Sequence, residues 1–407
     1  MYNPLSDMNL GFGSGFSLNL SSCDTRSGKL LLSSGEEYHI DSRPLTVKQK
    51  KLKNFILKKT DENHCTIIHK SGLVKLLSLH KEVYVPSRIT APDGRGLTLT
   101  WDSVYTPARL SKVTDDDGTV LYTVTYPNDM LATTKFSVLP DDADSGYSMV
   151  FRFNNDHLFS VTSNYRLISG LTIPTGRKEK VDYYTDTGMQ FPEIAGLPDL
   201  PCVYRHTLVH GGGQPASITL WEWTQRNYLG KDAGLNQWQP DSDMMLNVLL
   251  PDYQYGSTAR LMDTDGNTVL STVTRRYNSY HLQVSETTLR SGKTYLKATE
   301  YHARPGASFE EQPAQFALPL IQTESWDDGS GVAPRMRVTQ TWFDEAGNPQ
   351  RQEAPDGTVT EYVYYPAEGE SDACPADPYG FTCWLKSKTA TPRQIYGDEP
   401  VSVSVNT

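Results

Sequence analysis

The stretch Ala354-Pro355-Asp356-Gly357-Thr358-Val359-Thr360-Glu361-Tyr362-Val363-Tyr364-Tyr365 decides the fold. Asp-Gly is the strongest short-range hairpin signal, because both central residues of a type I′ turn need φ > 0. After the turn, Thr and Glu alternate with Val and Tyr, the period of a strand with one buried face. The same device recurs. Asp117-Gly118 precedes the alternating run Thr119 to Tyr126, and further Asp-Gly pairs stand at Asp93-Gly94, Asp265-Gly266 and Asp328-Gly329. Ser217 to Trp223, SITLWEW, alternates in the same way. The spacing drifts along the chain, so the pattern predicts an all-β protein of antiparallel hairpins without the strict period of a solenoid.

Composition agrees. The 407 residues include 23 Tyr, 30 Gly and 25 Pro, which suits half-buried strands interrupted by turns. This length fits two or three domains, or one extended sheet. The segment Val47 to Thr60, VKQKKLKNFILKKT, has helix-compatible spacing, but the hairpin signals around it favour strand. Net charge is −10, although ten Lys or Arg against two acids fall between Arg43 and Lys81. A mainly acidic chain is a poor nucleic-acid binder, and the basic run reads as a solvated strand face. No run of about 18 apolar residues occurs, so no membrane span is expected. The start lacks a basic n-region and a long apolar core, so synthesis in the cytosol is expected, with any export left to a dedicated machine.

Candidate chemistry is sparse. Cys23, Cys65, Cys202, Cys374 and Cys383 include no CxxC pair, and the odd number and low density argue against a disulfide scaffold or a zinc site. Cys374 and Cys383 are close enough in sequence to bridge in an oxidising setting, with free thiols the preferred reading. The Gly11-x-Gly13-x-Gly15 run does not match a dinucleotide fingerprint, and Gly211-Gly212-Gly213 lacks the Lys-Ser/Thr of a phosphate loop. His206 and His210 would share a strand face but have no third ligand nearby. Asp141, Asp142 and Asp144 before Gly146 read as a polar turn, not a calcium loop, because the glycine is misplaced and position 12 lacks Glu. Nothing marks a carboxylate pair for glycoside hydrolysis or a Gly-x-Ser-x-Gly elbow. Trp221, Trp223 and Trp238, with Tyr228, form an aromatic cluster that reads as sheet core or as a surface on which sugars stack. No catalytic, cofactor-binding or metal-ligating set emerges, and no cofactor is expected.

Trp342 to Tyr362, WFDEAGNPQRQEAPDGTVTEY, resembles a YD repeat of the Rhs family, with Phe343-Asp344 in the Tyr-Asp place. Arg88 to Trp101 and Arg109 to Tyr126 look like degenerate repeats. Gly11 to Tyr38 is similar to the segment that opens many Rhs shells. The ordered strings RNYLG, DYQYGST, Glu311 to Ala314, YYPAEGE, CPADPYGF and LKSKTATP resemble Rhs proteins of the insecticidal toxin-complex type. The resemblance implies hairpins joined edge to edge into a long coiled sheet, forming part of a hollow shell that encloses a toxic polypeptide. It implies partners in that polypeptide, the remaining shell segments or a delivery machine, and no catalytic group. Rhs shells are longer and end in a self-cleaving region with an Asp-Pro-x-Gly motif; Asp377-Pro378-Tyr379-Gly380 has those letters in another context and reads as a turn. One extended region, 1–407, is expected, with shell-opening strands and degenerate repeats over 1–126, a divergent β region over 127–335 and a YD-like segment over 336–407. The alternative is a β-rich carbohydrate- or receptor-binding module.

Overall fold

The computed structural model describes residues 18–105, 107–128, 133–152, 159–162, 165–172, 176–239, 242–264, 266–393 and 402–406. Among them no α-helix occurs; two short 3-10 turns, Glu193–Ala195 and Met244–Asn247, interrupt a chain otherwise built of antiparallel strands. The expected all-β hairpin architecture is what forms. Contacts divide the chain into two compact units, Met1–Gly176 and Arg177–Thr407, a boundary that no sequence signal marked.

The first unit is organised by the strand Val83–Thr90. One edge pairs with Val74–His80. The other edge is shared: its start takes Ser22–Asp24, with Cys23 opposite Tyr84, and its end takes Gly96–Asp102, with Arg88 opposite Thr98. The meanders over residues 22–47 and 55–90 share one dry core, while the strands from Gly96 onward have a separate one of Leu99, Leu110, Val113 and Val124. Cys23, Leu30, Phe55, Cys65, Ile67 and Leu77 are all 0 % exposed. Each large side chain buried this way contributes about 1.5–3 kcal/mol. The strand reading of the lysine-rich segment holds only in part: Val47 ends one strand, residues 48–54 are irregular, and Phe55–Lys59 is a strand. Phe55 enters the core while the Lys50 ammonium lies 4.2 Å above its ring.

The second unit is a sheet in strict chain order. From Lys178–Met189 to Val403–Asn406 every strand pairs antiparallel with the next. Most residues of its central strands are half-buried, not fully buried. Closed packing sits instead in the long loops. The 224–253 loop builds a small core from Ala233, Met245, Val248 and Tyr253 against Tyr255. Buried amides fasten the loops: Asn227 Nδ2 donates to Gln190 O at 3.0 Å, Gln312 Nε2 to Arg304 O at 2.7 Å, and Asn348 Nδ2 to Thr382 O at 2.9 Å.

The Asp-Gly hairpins form, but not as the type I′ turns expected. In Ala91-Pro92-Asp93-Gly94-Arg95, Gly94 N donates to Ala91 O and Ala91 N to Arg95 O. Only Gly94 has positive φ, 87°. This is a three-residue loop, a type I turn closed by a bulged glycine. The proline explains the choice: it has no N–H to close a two-residue loop around Asp93-Gly94, and its φ near −65° suits the first central position of a type I turn. Asp115–Thr119 and Ala354–Thr358 close in the same way, and so do Leu32–Glu36, His69–Leu73 and Asp344–Asn348, which contain no Asp-Gly. The turn is therefore set by a glycine at the fourth position. Asn278–Leu282 has the same two hydrogen bonds with His281, φ 61°, in the glycine's place. Positive φ at both central positions occurs instead at Ser291-Gly292. Asp328-Gly329 sits in a longer loop before Arg335, and Asp265 lies outside the described residues.

Candidate functional site

Register in the second unit sets one row of side chains across seven strands. Trp223 stands opposite Ser257, Ser257 opposite Arg275, and Arg275 opposite Glu286. Glu286 faces Lys297, Lys297 faces Glu324, and Glu324 faces Arg337. Directly opposed residues share a sheet face, so five consecutive strands present charges of alternating sign. The Arg275 Nε–Glu286 Oε2 distance is 2.7 Å, and Tyr295 OH donates to Glu324 Oε1 at 2.7 Å. A one-residue slip would transfer the charges to the other face, so the row helps fix register. Two residues along, the same face carries Tyr295 and Trp326, stacked at 5.3 Å, with the Arg337 guanidinium 5.6 Å above the indole. The opposite face carries Leu289, Met336 and Val338, exposed by 47 %, 59 % and 43 %.

At its start the row opens into a cleft of about 380 Å³ between the sheet and the 224–253 loop. Trp221 and Trp223, two apart on one strand, stack at 5.8 Å and 14°. Tyr255 and Tyr277, paired across two strands, stack at 5.5 Å and 19°. Gly256 lets the strands close here, since a Cβ on it would lie 1.9 Å from Arg275 O. Trp223 Nε1 donates to Val203 O at 2.8 Å. Tyr255 OH and His281 Nδ1 are 2.7 Å apart, and burial holds the Tyr255 phenol above its ordinary pKa. The sequence cluster thus separates: Trp221, Trp223 and Tyr228 line the cleft, whereas Trp238 packs edge-on against Phe191 at 5.4 Å. Tyr255, Tyr277 and Arg275 went unread in the sequence. The signal was the pairing of neighbouring strands, which one sequence does not show.

Other flagged residues go elsewhere. His206 Nε2 lies 3.0 Å from Glu179 Oε2, and His210 Nε2 lies 2.8 Å from Ser217 Oγ, so the two imidazoles serve different partners. The Arg177 guanidinium, and to a lesser degree His206, holds the Glu179 carboxyl below its usual range. No group of three or more His, Cys, Asp or Glu able to hold a metal occurs among the described residues. Asp142 Oδ1 accepts from Asp144 N at 2.9 Å and Ser145 N at 3.0 Å, and these bonds lower its pKa: a polar turn. Asp377 Oδ1 accepts from Tyr379 N at 2.8 Å and Phe381 N at 3.0 Å, so Asp377-Pro378-Tyr379-Gly380 is also a turn. Gly211, Gly212 and Gly213 all take positive φ in a loop. The Gly11-x-Gly13-x-Gly15 run lies outside the described residues.

All five cysteines are free thiols. The two that meet are Cys23 and Cys65, in the dry core of the first unit. A hydrogen bond from Cys65 lowers the Cys23 pKa, while the same bond and burial raise that of Cys65. Close by, Lys75 is 3 % exposed, and its ammonium donates to Ser21 Oγ at 2.9 Å and Ser33 Oγ at 2.6 Å. Burial lowers its pKa.

No protein-family model matches the chain, and no curated protein does. Solved structures that it resembles include the Photorhabdus luminescens Tc holotoxin pore carrying the TccC3-D651A mutation, at 12 % identity and a TM-score of 0.25, over 89 % of this chain and 16 % of that one. TcdB2-TccC3-TEV aligns at 10 % identity and a TM-score of 0.23, over 89 % of this chain and 19 % of that one. TcdB2-TccC3-Cdc42 aligns at 9 % and 0.23, over 92 % and 20 %. The chain therefore spans a fifth or less of each of these chains.

Proposed function

We propose that this chain is a non-catalytic segment of an Rhs-type toxin shell that encloses or helps deliver a toxic polypeptide. One observation carries the reading: the second unit is a sheet in unbroken chain order, with both faces of its central strands only half-buried. Such a sheet makes a wall. Each hairpin occupies the edge of the one before it, which removes the exposed edges that would otherwise aggregate. The natural twist of strands curls a sheet of this length. A wall acts by exclusion and needs no nucleophile, metal or cofactor. The partners are the enclosed polypeptide and the remaining shell segments. The chain is made in the cytosol and leaves it through a dedicated delivery machine.

The test is co-expression with the polypeptides encoded beside it, followed by gel filtration and trypsin treatment. The expected result is a second polypeptide that co-elutes and resists trypsin until urea opens the complex. Elution of the chain alone, or a companion digested as fast as the free polypeptide, contradicts the proposal.

A further inference from the structure

We propose that the cleft walled by Trp221, Trp223, Tyr228, Tyr255 and Tyr277 binds a neutral pyranose ring. The site stands independently of the shell reading. Two pairs of near-parallel rings offer flat π faces, and their edges are fixed from behind by Val203 O and His281. Rings held this way lose little freedom when a ligand arrives. Trp223 and Tyr228 remain 36 % and 42 % exposed, so the walls are reachable. A cleft of about 380 Å³ lies near the small end of the roughly 300–1,000 Å³ range of ligand sites.

The polar groups choose the ligand class. Ser257 is 8 % exposed and lines the cleft, and its hydroxyl makes no hydrogen bond to a described residue. Beside it Arg275 also lines the cleft. That cation disfavours an ammonium ligand, although aromatic walls alone would suit one. The Glu286 carboxylate at 2.7 Å already balances Arg275, which leaves little net attraction for an anion. A purely apolar guest would strand the Ser257 hydroxyl. A pyranose meets every condition: its C–H face lies on the indoles, and its rim hydroxyls reach Ser257 and Arg275.

His281 supplies a second, independent observation. Six hairpins that close with this loop place glycine at the fourth position, and the one that bonds the Tyr255 wall places His281 there, at φ 61°. A side chain kept at an angle that favours glycine points to a role for that side chain. Its Nδ1 holds the Tyr255 hydroxyl at 2.7 Å, and its Nε2 lies 3.4 Å from Asp243. Asp243 caps the Met244–Asn247 turn of the loop that forms the cleft's other side. His281 is therefore a positioning residue for the Tyr255 wall.

Saturation-transfer NMR and tryptophan emission, with the methyl pyranosides of glucose, galactose and mannose and with N-acetylglucosamine, test the site on the full chain. At least one sugar is expected to bind with a Kd on the order of 1–10 mM, with transfer strongest at ring C–H protons. Trp223→Ala and Tyr228→Ala, both at exposed positions, are expected to weaken binding about tenfold with unchanged circular dichroism. His281→Gly keeps the hairpin and weakens binding by a few-fold, while His281→Asn, which tolerates the same φ, also loses the Tyr255 contact. No transfer from any of the four sugars at about 50 mM overturns the proposal. So does binding that survives the Trp223→Ala/Tyr228→Ala double variant, or a response to tetramethylammonium alone.

Discussion

The meanders between Ser22 and Thr90 and the sheet between Gln254 and Tyr364 use the same hairpin and the same residue types, yet they are stabilised differently. The first closes two layers over side chains that are fully dry. The second leaves its central strands half-buried on both faces and relies on cross-strand pairs, with local cores supplied by loops. A hydrophobic core makes a body; a ladder of pairs makes a wall. The difference teaches that strand pattern alone does not reveal whether a sheet folds over on itself or runs on.

Substitutions separate the two regimes. Phe55→Ala and Leu77→Ala, at 0 % exposure, should each cost about 3–5 kcal/mol in urea unfolding of the first unit. Leu289→Ala, at 47 % exposure in the wall, should cost below about 0.5 kcal/mol. Equal losses would erase the contrast. Within the second unit the loops should prove costlier than the strands. Tyr253, 1 % exposed, has its hydroxyl against Asn227 O at 2.9 Å and Lys231 O at 2.8 Å, and burial pushes its pKa up to about 12. Tyr253→Phe should cost about 1–2 kcal/mol and expose the 224–253 loop to protease.

Lys75 sharpens the contrast through pH. Burial lowers its pKa below the 10.5 of an exposed lysine, with His69 also lowered by burial and by this neighbouring charge. Between the lowered value and 10.5 the unfolded chain binds the proton more tightly. The Lys75 contribution to stability of the first unit should therefore rise as pH climbs through that window and level off above it. Lys75→Met should reduce the rise in melting curves, Lys50 supplying the remainder, and be neutral, or stabilising by up to about 2 kcal/mol, at pH 7. The charge row should give a modest effect that depends on salt. Lys297→Glu puts like charges opposite Glu286 and Glu324 and should cost about 0.5–1 kcal/mol, relieved by salt.

Much of this was legible and the rest was hidden for physical reasons. Alternation in Thr119–Tyr126 and Thr358–Tyr365 located strands, because a two-residue period is a local property. The turn type was misread, because Pro92 and Pro355 lack the N–H that a two-residue loop needs and suit the first central position of a type I turn, and the glycine at the fourth position is the true signal. Ser33-Ser34-Gly35 and Glu345-Ala346-Gly347 close the same loop without an aspartate beside the glycine. The strings RNYLG, DYQYGST and CPADPYGF mark loops that pack against the sheet, where Asn227, Tyr253 and Phe381 are buried. The cleft was half visible: Trp221 and Trp223 share a strand, but Tyr255, Tyr277 and Arg275 reach them only through register. The meeting of Cys23 and Cys65 was invisible, because it depends on two meanders closing over one core.

The most direct test of the wall is covalent footprinting of the full chain, with and without the polypeptide that co-purifies with it. Met336, Leu289 and Val338 report one face, and Trp223, Tyr295 and Trp326 report the other. The account predicts that the partner shields one set and leaves the other labelled as in the free chain. Equal protection of both faces, or none on either, would contradict a sheet that separates an inside from an outside.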